Sequence, residues 1–272
     1  LKLVDMARLV VHWNERLNLV SRKDCSLEVV FGRHILPSVA LAALPGDKFG
    51  VLNEDGAVNE GYQRKKIVDV GTGGGFPGLP LAIIFPQSDF LLVDSVGKKL
   101  SAVSAMVEEL GLTNVQTHHG RAEEMVDDVL EGPRHKAAYD VCVGRSVTAL
   151  PRFCFWVSDL LRKGPKQEEA NLVYIIGGEI QESVQSRAQL DAPIDELLQI
   201  TDSSDKRALV FTAQDVASIA AESGEVKQVR GVPKAKGNVK RKKANPKGNW
   251  EKRDNSVPKQ RGYDNFKRFE QN

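Results

Sequence analysis

The stretch Ile67-Val68-Asp69-Val70-Gly71-Thr72-Gly73-Gly74-Gly75-Phe76-Pro77-Gly78 runs from an apolar segment, through an acid and glycines at every second position, into the start of a helix. Glycine lets backbone approach a ligand more closely than any Cβ allows and tolerates positive φ in a turn. The first N–H groups of the following helix lack partners within it and, with the helix dipole, form a polar cradle. This is chemistry for holding a small polar ligand against a strand end. A second acid, Asp94, comes 19 residues after Gly75 and closes the next apolar run, Phe90–Val93. A carboxylate at the tip of a second strand accepts hydrogen bonds from both hydroxyls of a ribose, so a nucleoside is the expected ligand. The plainer reading of Asp94 is a helix cap.

Two kinds of nucleoside cofactor use these devices. Gly73-x-Gly75-x-x-Gly78 matches the G-x-G-x-x-G of dinucleotide sites, which keeps NAD-dependent oxidoreductase chemistry among the readings. Asp69-x-Gly71-x-Gly73-x-Gly75, with its acid inside the strand, is the form met in methyltransferases that use S-adenosylmethionine. Gly120-Arg121-Ala122-Glu123-Glu124 follows the third apolar run, beside the adenine end of a ligand lying along the strand tips. Gly144-Arg145-Ser146 follows the fourth and faces the reacting group. An arginine there holds phosphate or substrate, or is an ordinary surface residue.

The elements that must position these residues can be read from periodicity. Leu3, Met6, Val10, Trp13, Leu17 and Val20 fall on one helical stripe, predicting an amphipathic helix over 3–20. A second helical stretch covers about 27–44, with a break expected near Pro37. Residues 46–66 are rich in Gly, Asn and charge and read as an exposed insertion. Short runs rich in β-branched and aromatic residues follow at 67–70, 90–93, 115–118, 139–143, 172–176 and 208–212, with helical segments at 77–85, 97–110, 121–130, 150–161 and 179–190. Alternation of this kind predicts a parallel sheet covered on both faces. The domains expected are a helical cap (1–45), the insertion (46–66), an α/β catalytic domain (67–215) and a tail (216–272).

Charge separates body from tail. Residues 225–272 carry 15 Lys/Arg against 5 Asp/Glu, leaving 23 against 31 for residues 1–224. A segment so poor in aliphatic residues cannot bury enough apolar surface to offset its ordering entropy, so the tail reads as disordered. Its Lys240-Arg241-Lys242-Lys243 run would release counterions from RNA, which makes the tail a candidate nonspecific RNA tether. Cys25, Cys142 and Cys154 are few and scattered, as expected of reduced thiols, and suit neither a disulfide framework nor zinc. His118 and His119 would point to opposite faces of a strand, and no metal is expected. No apolar run approaches the length of a membrane span, so no membrane partner is expected.

The motifs together resemble the RsmG/GidB family of small-subunit ribosomal RNA guanine-N7 methyltransferases. The resemblance rests on Trp13-Asn14-x-x-x-Asn18-Leu19, Arg33-His34-Ile35-x-x-Ser38, the stretch Asp69 to Leu81, Asp94-Ser95-x-x-Lys98-Lys99, Ala122-Glu123-Glu124 and Tyr139-Asp140-x-x-x-x-Arg145. It implies a Rossmann-like, seven-stranded class I methyltransferase sheet, S-adenosyl-L-methionine as cofactor, and small-subunit ribosomal RNA or the small subunit as partner; a monomer is expected. It implies Asp69, Gly71, Gly73, Gly75, Phe76, Asp94, Ala122, Glu123 and Arg145 at the cofactor, Arg145 and His34 at the reaction, and Arg33 and Lys98 on RNA.

Three positions depart from the family pattern. Pro37 stands where an Asp is usual, and Gly177 and Ala213 stand where lysines are usual. Two missing cations would weaken the cleft's pull on RNA, and a catalytically weakened RNA-binding assembly factor is the alternative function. The chain opens on Leu1 rather than Met. A leader removed upstream would place it in a plastid or mitochondrion, and otherwise the cytoplasm is expected.

Overall fold

The central strands among those that alternate in sequence with helices are buried on both faces, so their side chains divide between two cores. In a computed structural model, which describes residues 1–21, 25–46, 48–50, 64–127, 132–164, 170–201 and 204–226, they form one sheet. Its strands are β1 (Lys66–Val70), β2 (Asp89–Asp94), β3 (Val115–His119), β4 (Val141–Arg145), β5 (Asn171–Gly177), β6 (Leu190–Pro193) and β7 (Lys206–Thr212), in the order β3-β2-β1-β4-β5-β7-β6. β1 to β5 are mutually parallel. Because side chains alternate along a strand, Ile67, Val143 and Val173 join one core while Val68, Cys142 and Tyr174 join the other.

The parallel expectation fails at one edge. β7 runs antiparallel to β5, and β6 antiparallel to β7. The helix predicted over 179–190 shrinks to Glu182–Gln185, after which Leu190-Asp191-Ala192-Pro193 forms the edge strand. Proline is tolerated on an edge because its missing N–H breaks no inner ladder, and Asp191 is tied to Arg207 of β7 at 2.6 Å. The reversal has a functional consequence: the start of β7 lies beside the end of β5, where ligands meet a parallel sheet.

The first core is closed by the N-terminal helices, which end earlier than periodicity suggests. The helix Lys2–Asn14 stops because buried Asn14 turns its side chain to the chain beyond it, Oδ1 accepting from the N–H groups of Leu19 and Val20 at 2.8 and 3.0 Å. Leu17 and Val20 therefore lie in the turn that follows the stripe. The second helical stretch is continuous through Pro37 rather than broken. It passes from Leu27–Val30 through a π-helical turn, Phe31–Ile35, to Leu36–Val39 and a 3-10 turn, Ala40–Ala43. Widening the turn to i→i+5 bonding accommodates a proline that has no N–H of its own.

The second core contains the helices Leu150–Val157 and Ala213–Glu222. Leu150, Phe153, Cys154 and Val157 are buried at helical spacing. The helix Ala213–Glu222 opens with a capping box between Thr212 and Asp215 and buries Val216, Ile219 and Ala220, so the folded body continues past the expected boundary at 215. The helix expected over 121–130 is a 3-10 segment, Ala122–Asp127. In the expected insertion, Phe49 is buried against Phe85, ring centroids 5.7 Å apart. Residues 51–63 and the tail from 227, with Lys240, Arg241, Lys242 and Lys243, lie outside the described residues. Among the described residues no helix is long and apolar enough to cross a membrane, and no cluster of three metal-ligating side chains occurs.

Candidate active site

The glycine turn after β1 is built mostly from backbone. The N–H groups of Gly71 and Thr72 both donate to the carbonyl of Val93 at the end of β2. Gly73 N–H donates to Asp94 Oδ2 and Val96 N–H to Asp94 Oδ1, each at 2.8 Å. The Asp94 carboxylate thus fastens the turn to the entry of the helix Gly97–Glu109, and each oxygen keeps accepting capacity for a ligand. Asp94 is 8% exposed and faces a cleft of about 770 Å³, within the roughly 300–1,000 Å³ of small-molecule sites.

Each glycine has its own reason. Gly71 has φ +71°, and a Cβ there would lie 2.6 Å from Val147 Cγ1, so the turn passes directly under the loop after β4. Gly73 has φ +57° and would point a Cβ into open space, its nearest neighbour being the Gly71 carbonyl oxygen at 3.9 Å. That is the position where a side chain would take room from a ligand. Gly75 does not line the cleft: a Cβ there would strike Leu79, 2.5 Å away, so this glycine lets the helix Gly78–Ile84 pack closely.

Asp69 is also displaced from the role expected of it. It is fully buried behind the turn, Oδ2 accepting from Thr72 Oγ1 at 2.7 Å and Gly78 N–H at 2.9 Å. It consumes part of the helix-start cradle and braces the turn instead of lining the cleft. Oδ1 meets no hydrogen-bond partner among the described residues. Burial pushes the Asp69 carboxyl up to about 6, against the opposing pull of those two donors.

The other half of the cleft is made of side chains from distant segments. Arg145, at the end of β4, sets its guanidinium over the Phe76 ring, 4.9 Å from the centroid. His34 packs on the same ring at 5.2 Å. Arg33 and His34 both sit on the π-helical turn, and Lys206 enters from the start of β7. Burial depresses His34 to about 3, helped by the charges of Arg145, Lys206 and Arg33, so its ring is neutral at physiological pH. Its Nδ1 is buried with no partner among the described residues. Burial brings Arg145 down to about 10, opposed by Asp69, and it stays cationic.

The loop after Arg145 is held from below. Buried Tyr174 of β5 accepts through its hydroxyl from Val147 N–H at 2.9 Å and Thr148 N–H at 3.4 Å, and donates to the Thr148 carbonyl at 3.0 Å. Above the turn, a Cβ on Gly74 would lie 3.2 Å from Leu19 Cβ. Asn14, by holding Leu19 and Val20, lays the N-terminal segment across the turn.

Of the residues expected from sequence, Arg33, His34, Gly71, Gly73, Phe76, Asp94, Ala122, Glu123 and Arg145 line this one cleft. Lys98 does not. It is exposed on the helix Gly97–Glu109, and the next residue, Lys99, faces the cleft instead, because successive helical positions diverge by about 100°. Sequence reasoning missed Lys99, Val147, Trp156 and Lys206. Lys99 stood in the same quoted motif, whereas nothing in the local sequence marks Lys206.

A family model described as rRNA small subunit methyltransferase G matches residues 1–182. The chain belongs to the GidB family. A Ribosomal RNA small subunit methyltransferase G of Cytophaga hutchinsonii is 37% identical over 178 residues, covering 65% of this chain and 73% of its own. One of Porphyromonas gingivalis is 37% identical over 182 residues, covering 66% and 71%. Among solved structures, a SAM dependent methyltransferase from Aquifex aeolicus shows 14% identity and a TM-score of 0.41, over 55% of this chain and 82% of that one. With the family in hand, its motifs divide into working and supporting parts. Asp94 and Arg145 face the cleft. Asn14 secures a turn. Tyr139-Asp140 organises the far end of the sheet, where Asp140 Oδ2 accepts from Lys66 N–H at 2.8 Å.

Proposed function

We propose that this GidB-family chain transfers a methyl group from S-adenosylmethionine to N7 of a guanine in small-subunit ribosomal RNA. The observation that carries the reading is a single cleft with the glycine turn and Asp94 under one half and Arg33 and Arg145 over the other. The residues fit the cofactor: Gly73 leaves room where a Cβ would intrude, and Asp94 keeps lone pairs suited to ribose hydroxyls. Ala122 and Glu123 would flank the adenine, and Arg145 with Phe76 would border the reacting end. When bound, the cofactor supplies a methyl group activated by a sulfonium.

The chemistry asks little of the protein beyond placement. Guanine N7 carries an in-plane lone pair, so it would take the methyl group directly, the new C–N bond replacing a C–S bond whose electrons would stay with sulfur. No proton moves, so no general base is needed. His34, held neutral and poorly basic, therefore serves as a wall beside Phe76 rather than as an acid or base. Holding donor and acceptor in line is the main source of rate, and the Tyr174 anchor and the Leu19 cover keep that geometry. The test is mass spectrometry of small-subunit RNA incubated with the chain and S-adenosylmethionine. New 7-methylguanosine is expected, and unmodified RNA in the presence of bound cofactor would favour a binding factor. Titration with NAD should give no heat.

A further inference from the structure

The sequence leaves the end of β5 without a cation at Gly177, yet the fold returns one to the same place. β7 pairs antiparallel with β5 so that Lys206 sits directly across from Gly177. Its side chain lines the cleft, partly buried, and Nζ donates to the carbonyl oxygen of Arg33 at 3.2 Å. One departure from the family pattern, Gly177, is thus met by a lysine from the neighbouring strand. Residue 206 lies outside the matched span of 1–182, so the pairing of strands, not sequence similarity, puts it in the site.

Three cations converge here. Burial lowers the proton affinity of Lys206, Arg145 and Arg33 push the same way, and Asp205 and Asp195 oppose them. Asp195 already accepts from Ser204 N–H and Oγ, at 2.7 and 2.8 Å. Asp205 is exposed and lies where a Gly177 side chain would point, its oxygens 3.3 Å from such a Cβ. Gathering like charges in a partly dry cleft is unfavourable unless an anion completes it. The cofactor's own carboxylate is the poorer candidate, because β7 is three strands from β1 and four from β2, about 14 and 19 Å at sheet spacing. The substrate brings an anion at every nucleotide.

We propose that Lys206, held against the Arg33 carbonyl, binds a phosphodiester oxygen next to the target guanine, supplying from β7 the charge that Gly177 lacks. The proposal rests on the ribosomal RNA reading above. The test compares the full chain with Lys206→Ala, Lys206→Gln and the double variant Gly177→Lys/Lys206→Ala. It measures S-adenosylmethionine affinity by calorimetry, and binding and methylation of a small-subunit RNA transcript across a salt series.

Lys206→Ala and Lys206→Gln should each raise KM for RNA about tenfold and flatten the slope of log affinity against log salt by roughly 0.7–0.9. Cofactor affinity and kcat should hold, and the double variant should recover part of the loss. Glutamine is the discriminating change, since it keeps an N–H donor, one bond nearer the backbone, and removes the charge. Wild-type behaviour in Lys206→Gln would reduce Lys206 to a structural prop and overturn the proposal. So would lost cofactor affinity with an unchanged salt slope. A wild-type chain that neither binds nor methylates the RNA overturns the function reading as well, whereas an active wild type with indifferent variants overturns only the role of Lys206.

Discussion

The two halves of the cleft are built in opposite ways. The half around Asp94 is backbone-rich: a turn of glycines, two carbonyl contacts to β2, and one carboxylate bridging Gly73 and Val96. The half around Arg145 is side-chain-rich and cationic, drawing Arg33 from an N-terminal helix, Phe76 from the turn, Arg145 from β4 and Lys206 from β7. The first suits a small ligand of constant shape, where every backbone group can be placed in advance. The second suits a large polyanion, for which long side chains reach outward. If the division is real, variants in one half should change cofactor affinity and leave RNA affinity alone, and the reverse.

The largest expected effect is Asp94→Ala. Removing a charged acceptor from the proposed ribose site costs about 1.5–3 kcal/mol, roughly 10- to 100-fold in affinity, and the turn loses its tie to Val96. Calorimetry should show S-adenosylmethionine binding nearly abolished with RNA affinity intact, and a parallel loss of both would dissolve the distinction. Next come the glycines. Gly71→Ala should lower thermal stability, because a Cβ would collide with Val147 at 2.6 Å. Gly73→Ala meets no such obstacle and carries only the left-handed strain of about 1–2 kcal/mol. It should keep most of its stability and lose about tenfold or more in cofactor affinity.

In the other half, Arg145→Lys keeps the charge and loses the planar group over Phe76. Turnover on RNA should fall about tenfold, with cofactor affinity within a factor of about two of the parent. Equal losses of both would mean that Arg145 belongs to the cofactor half. The smallest effect expected is in the pH dependence of stability. His34 titrates near 3 in the folded chain against an ordinary 6.5, so the unfolded chain takes the proton first and stability falls as pH drops from 6.5 toward 3. Asp69 is raised from 3.8 to about 6, so its contribution is full below 3.8 and is lost as pH rises through 6. The two oppose each other across the shared window. His34→Asn should remove the acid-side loss and leave the Asp69 limb, seen as a melting temperature that climbs relative to the parent's as pH falls from 6 to 4.

The Asp94 half was legible in the sequence because its parts are contiguous. Nine residues of the strand-turn-helix crossover, 69–77, carry the glycine spacing, and Asp94 closes the very next strand. Legibility still had limits there: spacing grouped Asp69 and Gly75 with the ligand, while burial and the Leu79 contact make them supports. The Arg145 half was only partly legible. Arg33, His34 and Arg145 were found through motifs. Lys98 was chosen where its neighbour Lys99 faces the cleft, since a pair of adjacent lysines does not reveal its own helical phase.

By itself the sequence determined six of the seven strands, the glycine turn, the carboxylate closing β2 and the arginine after β4, because each depends on residues within a few positions of one another. The antiparallel return of β7, the edge strand ending at Pro193 and the π-helical turn at 31–35 were decided by tertiary structure. Strand direction at a sheet edge follows from which neighbours cover it, not from local periodicity. That choice brings Lys206 to the mouth of β5, 29 residues along the chain from Gly177 and one strand away in space.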